Sequence, residues 1–263
     1  DYADGVCVSC LRNGLVTNCV FRNNGTSTIG YGVLRLTDGA HVADCTFTGN
    51  NGIYGSIYCS SKNDIKFDRC SFVDNKNTLR AFGMFRNCLF AAPNVSIPLF
   101  RPEVTVATTT FENCTFVSSP TQNAFYFPAS KTNLLEFVGC ILYQSSTNPL
   151  FGEVYSNSNV FYSCCINIMP TTKTNMTFDD KCLENVDPKF MDNDAGDWSL
   201  RKISPCIDKG KLLGWMTSDS VDLVGNPRVF SRGKTLSETP AALPDIGCYE
   251  NLHIPLGFVL KFR

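Results

Sequence analysis

Apolar positions in this chain come in short bursts divided by polar turns, without the spacing of an amphipathic helix. Seven bursts share one order: Val16 to Phe21, Val42 to Phe47, Phe67 to Phe72, Phe85 to Phe90, Phe111 to Phe116, Phe137 to Leu142 and Phe161 to Ile166. Each reads apolar, two further residues, Cys, one variable residue, apolar. The cysteines Cys19, Cys45, Cys70, Cys88, Cys114, Cys140 and Cys164 are separated by 26, 25, 18, 26, 26 and 24 residues. A period near 25 that drifts only slightly marks a solenoid.

Alternate strand residues face the same side, so each cysteine shares a face with the apolar residue two places on. The apolar residue three places before it is out of phase, and a bend restores the phase. Asn18, Asp44, Asn87, Asn113 and Gly139 stand just before their cysteines, and these residue types tolerate the left-handed conformation of a sharp corner. Each unit is thus strand, corner, strand. Runs such as Arg22-Asn23-Asn24-Gly25 and Thr48-Gly49-Asn50-Asn51-Gly52 read as turns on the outside. The expected fold is all-β: a right-handed parallel β-helix of about seven or more coils, right-handed because parallel crossovers almost always are. Residues 1–166 form the coils, 167–250 the helix end and an irregular cap segment, and 251–263 a strand or tail. A leucine-rich repeat would need leucines at fixed spacings, which are absent.

The seven repeat cysteines form one inward ladder of small apolar side chains. Their spacing is not that of a zinc site, and the chain has only two histidines, His41 and His253. Cys7-Val8-Ser9-Cys10 lacks the second pair of a zinc site and the βαβ context of a redox motif. Cys165 with Cys182, and Cys206 with Cys248, are candidate disulfides that would mark an oxidising compartment.

Composition narrows the function. The 263 residues carry 23 Lys+Arg against 24 Asp+Glu, a formal net charge of −1, which lacks the basic surplus of a nucleic-acid binder. No apolar run approaches the ~20 residues of a membrane span. Asp1-Tyr2-Ala3-Asp4 is not a signal peptide, which reads as a mature or trimmed product.

Beyond Cys165 the repeat gives way to other markers: Asp187-Pro188-Lys189-Phe190, Gly196-Asp197-Trp198-Ser199-Leu200, Ser204-Pro205-Cys206-Ile207-Asp208-Lys209-Gly210, Asp222-Leu223-Val224-Gly225-Asn226-Pro227-Arg228 and Asp245-Ile246-Gly247-Cys248-Tyr249-Glu250. This order resembles the C-terminal end of bacterial extracellular right-handed parallel β-helix proteins, and the upstream units are similar to the repeats of polymorphic outer-membrane proteins. The resemblance spans nearly the whole chain. It implies a secreted or cell-surface, extracytoplasmic bacterial protein, in a group that includes adhesins, stalk proteins and polysaccharide enzymes. Two positions usually alanine in those markers are Cys206 and Cys248 here, and the paired replacement implies that they touch and are bonded. Asp187, Asp208, Asp222, Asp245 and Glu250 are read as turn and cap residues, with a pair to Arg228; a calcium site is the alternative, although the spacing is not an EF-hand loop. No other cofactor is expected.

Three functions compete. Catalysis by a polysaccharide lyase or glycoside hydrolase would need a base or paired carboxyl groups. The best local set is Asp64, Lys66 and Asp68, helped by Lys62 or Arg80, with Arg101 and Glu103 as a second set. Asp64, Lys66 and Asp68 alternate with Ile65 and Phe67, however, and read more simply as the solvated face of a strand. A carbohydrate-binding module would use Tyr31, Tyr54, Tyr58, Tyr126, Tyr155 or Trp215. A structural or adhesive role is favoured. Solenoid ends left open invite another chain, and the apolar stretch 252–263 could cover its own coil, serve as a sorting tail or add a strand to a neighbour, giving head-to-tail self-association into a fibre. The expectation is a non-catalytic extracellular structural or adhesive protein, with polysaccharide as a partner.

Overall fold

The computed structural model describes residues 8–10, 12–25, 33–52, 56–59, 65–77, 79–102, 108–118, 121–126, 134–145, 151, 158–170, 173–229 and 242–252. The chain winds as a parallel β-solenoid with three sheets along its length. The first contains Val8–Cys10, Leu34–Leu36, Ile57–Cys59, Leu79–Ala81 and Phe100–Pro102. The second runs through eight strands from Leu15–Thr17 to Met176–Phe178, and the third through eight from Val20–Arg22 to Leu183–Glu184. Five turns therefore carry a strand on all three sheets, and the last three carry strands on two. Among the described residues this is a lower count of complete coils than the repeats predict, because there the first sheet yields only isolated bridges, Phe100 to Phe125 to Phe151, beyond its fifth strand.

The predicted corner exists in all seven units. Asn18, Asp44, Arg69, Asn87, Asn113, Gly139 and Ser163 have φ between 49° and 62°. Arg69 has no intrinsic preference for that conformation, which costs an ordinary residue about 1–2 kcal/mol. Its guanidinium grips the Asp44 carboxylate, one corner earlier, through two hydrogen bonds of 2.7 and 2.8 Å. The short interval before Cys88 is met by a tight step from first to second sheet at Gly83. There φ is +117°, and a Cβ would lie 2.2 Å from the Ile65 carbonyl oxygen, so only glycine fits.

Register stacks like on like. In the second sheet Phe67, Phe85, Phe111, Phe137, Phe161 and Phe178 form a column whose successive ring centroids are 4.3–5.1 Å apart. In the third sheet Phe21, Phe47, Phe72, Phe90 and Phe116 stack at 4.7–5.1 Å. These spacings match the ~4.8 Å separation of neighbouring strands, so strand pairing and ring stacking reinforce each other.

Between these columns lies the cysteine ladder. From Cys45 to Cys164 each thiol reaches two carbonyls: Cys140 Sγ donates to Phe111 O at 3.3 Å and to Val138 O at 3.5 Å, and Cys164 Sγ to Phe137 O and Tyr162 O, both at 3.4 Å. A thiol here is a small apolar filler with a weak donor for carbonyls at the corner. The ladder has an eighth member. Cys182 Sγ accepts from the Cys164 backbone N–H at 3.4 Å, the same contact that Cys140 makes with Cys114.

That eighth rung corrects one disulfide. Cys182 is a free thiol inside the solenoid, whereas Cys165, one place beyond a corner cysteine, points to the opposite face of its strand. Cys206 and Cys248 are likewise free, so the bond expected between them is not formed. Cys206 instead meets the Cys165 thiol, and the Cys248 backbone N–H donates to Thr115 Oγ1 at 3.0 Å. Cys7 lies outside the described residues.

Not every polar turn is outside. Asn50 is fully buried and bridges coils: its Nδ2 donates to Phe21 O at 2.9 Å and Asn75 Oδ1 at 3.0 Å, while its Oδ1 accepts the Asn24 backbone N–H at 3.0 Å. Asn75 repeats the arrangement, donating to Phe47 O at 2.9 Å.

The C-terminal segment packs along the side of the solenoid. From the fourth coil on, Leu89, Ala91, Val117, Ile141 and Cys165 face outward from the third sheet and are buried, with Thr115 the buried polar member of the same rows. They form a second core with Phe190, Trp198, Leu200, Cys206, Ile246 and Cys248. In the second and third coils the same positions are Thr46, Thr48, Ser71 and Val73, all half-buried. Within the segment, Phe190–Asp192 and Asp197–Leu200 make an antiparallel hairpin.

Candidate functional site

The outer surface of the first sheet carries the most ordered array of polar and aromatic side chains. Its strands are three residues long, and in the second to fourth the outer two residues are buried while the middle one turns outward. The middle residues align in register as Ser9, Arg35, Tyr58, Arg80 and Arg101. Bridging of Phe125 to Phe100 continues the row to Tyr126, which is 47% exposed and lies under the Arg101 guanidinium, 5.5 Å from its ring centroid. Three guanidinium groups and two phenol rings thus lie along one line at single-coil steps of ~4.8 Å. Arg35, Tyr58, Arg80 and Arg101 are half-buried and each is already engaged within the chain, so the row presents a line of positive charge and ring faces to its surroundings.

Of the residues singled out from sequence, the structure brings Tyr58 and Tyr126 onto this row. Trp215 sits elsewhere, half-buried in the C-terminal segment, with the Arg86 guanidinium 5.0 Å from its ring centroid. Tyr31, Tyr54, Tyr155, Asp64, Lys62, Glu103, His253 and the rest of the stretch beyond Leu252 lie outside the described residues. Arg35 was not singled out. The signal that finds it is local: a long polar or aromatic residue between two apolar ones in Leu34-Arg35-Leu36, Ile57-Tyr58-Cys59, Leu79-Arg80-Ala81 and Phe100-Arg101-Pro102.

Lys66 and Asp68 lie on the outward side of the second sheet, on either side of the fully buried Phe67. Asp68 Oδ2 is 2.7 Å from His41 Nε2. Further along the column of Asp68, Arg86 Nε and Glu112 Oε2 are 2.6 Å apart. These carboxylates are engaged by neighbours on the same face, as ordinary solvated-face pairs are.

The acidic markers of the C-terminal segment converge on Arg228, which is fully buried. Its Nη2 donates to the carbonyls of Asp245 at 2.6 Å and Gly247 at 2.7 Å, and its Nη1 lies 3.6 Å from Glu250. Asp222 Oδ2 accepts the Glu250 N–H at 2.7 Å, and Asp245 Oδ1 accepts the Asp208 N–H at 2.8 Å. Asp187 stands apart, taking the Lys189 N–H and ammonium, each at 2.8 Å. Burial pushes the Asp245 carboxyl up to about 6, against the opposing pull of the backbone donors and Arg228. These are the expected turn and cap roles, with a guanidinium at the centre. Among the described residues, no three His, Cys, Asp or Glu side chains are placed to share a metal ion.

Burial sets the state of the thiols. It holds Cys70, Cys114 and Cys164 well above the ordinary thiol range and pushes Cys59 and Cys248 up to about 12. At Cys88 and Cys140 burial is outweighed by hydrogen bonds from the thiols on either side, which bring the two down to about 6 and about 5 without exposing them to solvent. The column is a packing element, poorly suited to nucleophilic work, which needs an accessible thiolate.

A scan against protein-family models and a search of curated proteins each find no match to this chain.

Proposed function

We propose that this is a non-catalytic, extracellular adhesive β-solenoid that holds a linear acidic polysaccharide along the outer face of its first sheet. The observation that carries the reading is the register row Arg35, Tyr58, Arg80, Arg101, Tyr126. A polymer with a repeating acidic group meets a repeating line of positive charge and ring faces, and many weak contacts add along its length. The resemblance of the C-terminal markers to bacterial surface β-helix proteins supports the location. The pairing of Asp68 with His41 and of Glu112 with Arg86 favours adhesion over a lyase or hydrolase.

The test uses polygalacturonate as probe. Calorimetry is expected to show binding that weakens with salt, by counterion release, and that falls about tenfold or more in Arg80→Ala, Tyr58→Ala double variants. Release of unsaturated uronate or of reducing ends would establish the enzyme instead. Absence of binding to both acidic and neutral polymers would remove the adhesive reading.

Self-association through coil ends is a second reading. Among the described residues, the first coil's strands pair on one side only, and Leu15 and Val20 beside them are 64% and 66% exposed. Sedimentation showing a monomer at all concentrations would exclude it.

A further inference from the structure

A second recessed surface lies on another side of the molecule and is independent of the arginine row. Where the C-terminal hairpin overhangs the third sheet, the outward face is changing from polar to apolar, and the two surfaces separate to leave a cleft of about 450 Å³. That volume falls in the range of small-ligand sites, ~300–1,000 Å³. The solenoid contributes Asp74, Pro93 and Asn94, and the segment contributes Asp194, Trp198 and Tyr249.

The lining has a definite chemistry. It includes two carboxylates and no lysine or arginine, so it repels the acidic polymer proposed for the first sheet. Asp74 is fixed: its Oδ1 accepts the Asn94 backbone N–H at 3.1 Å and its Oδ2 the Asn94 Nδ2 at 2.8 Å, which leaves the Asn94 amide oxygen as a further acceptor. Asp194 stands exposed at the hairpin tip. Trp198, only 5% exposed, belongs to the second core and forms the floor of the cleft, where its indole N–H donates to Asn193 Oδ1 at 3.0 Å. Rigid rings beside fixed acceptors suit a ligand with an apolar face and several hydroxyl donors.

The geometry points to a binding site for a neutral sugar unit in this cleft, with its ring face toward the half-buried Tyr249, above the cleft floor at Trp198, and its hydroxyls donating to Asp74, Asp194 and Asn94. Such a site would let the solenoid engage two kinds of glycan on two faces.

The chain has two tryptophans, Trp198 and Trp215, so each indole N–H resonance can be assigned by substituting the other. The probes are methyl α-glucoside, methyl β-galactoside and N-acetylglucosamine at millimolar concentration. Saturable movement of the Trp198 resonance by at least one, with Trp215 still, is the expected result. Asp194→Ala, at an exposed turn, should weaken that binding about tenfold, the loss of one hydrogen bond to a charged group, while Trp215 and the melting temperature stay unchanged. The proposal is overturned if none of the three probes moves Trp198, if Asp194→Ala binds as wild type does, or if spermidine moves Trp198 and the glycosides do not. Polygalacturonate binding by Asp194→Ala is expected to be unchanged, which separates failure of this site from failure of the arginine row.

Discussion

Replacing Asn50 by alanine tests whether the buried asparagine turns hold the coils together. The side chain is fully buried and joins three consecutive coils. Alanine would leave the half-buried Asn24 N–H, which donates at 3.0 Å, without its partner, and would remove the second donor of the Phe21 carbonyl, at 2.9 Å, which keeps its bond in the strand ladder. Asn75 Oδ1 keeps one donor, the Asn50 backbone N–H at 3.1 Å. An orphaned group costs about 1–3 kcal/mol and a lost second bond to a carbonyl about 1, so the total is roughly 3 kcal/mol. Because a solenoid is stabilised coil by coil, the loss should fall on the first three coils. Amide exchange read by mass spectrometry should show faster exchange through residues 15–73 and little change beyond residue 108. Asn77→Ala is the control. Asn77 is half-buried and makes one side-chain bond, to Asn51 at 3.0 Å, so its replacement should cost under about 1 kcal/mol. Equal effects of the two substitutions, or exchange that rises evenly along the whole chain, would refute the reasoning.

Two further outcomes follow from the C-terminal segment. Gly247 has φ +99°, and a Cβ there would lie 2.7 Å from Ile141 Cδ1 and 2.8 Å from Thr115 Oγ1, the acceptor of the Cys248 N–H. Gly247→Ala should cost about 3 kcal/mol from backbone strain and overpacking, and should speed amide exchange in residues 186–250 before the coils; unchanged exchange there would show that the segment is not held by this contact. The Asp245 carboxyl, raised by burial to about 6, binds its proton more tightly folded than unfolded. Its stabilising contribution is full below the ordinary carboxyl value near 4 and is lost as pH rises through about 6, a difference of roughly 3 kcal/mol. Urea unfolding of wild type and Asp245→Asn, compared at pH 4 and pH 7, should show the wild-type advantage shrinking as pH rises; an advantage that grows would mean that the backbone donors outweigh burial.

The periodic cysteines, and the apolar residues flanking each corner, determined the solenoid, because stacking identical rungs is the arrangement that buries every copy of the same burst. The left-handed corners at Asn18, Asp44, Asn87, Asn113 and Gly139 were legible from residue type. Those at Arg69 and Ser163 were not, since they are imposed by the coils on either side. Tertiary structure alone decided where the non-repeating part lies. Cys165 and Cys182 differ only in which side of the wall they face, so no spacing rule could separate them or show that Cys165 meets Cys206. The arginine row was hidden for a related reason: Arg35, Tyr58, Arg80, Arg101 and Tyr126 are 23, 22, 21 and 25 residues apart, and only strand pairing aligns positions separated by loops of unequal length. The cleft beside Trp198 arises where two surfaces distant in sequence fail to close, which depends on shape rather than on any local pattern.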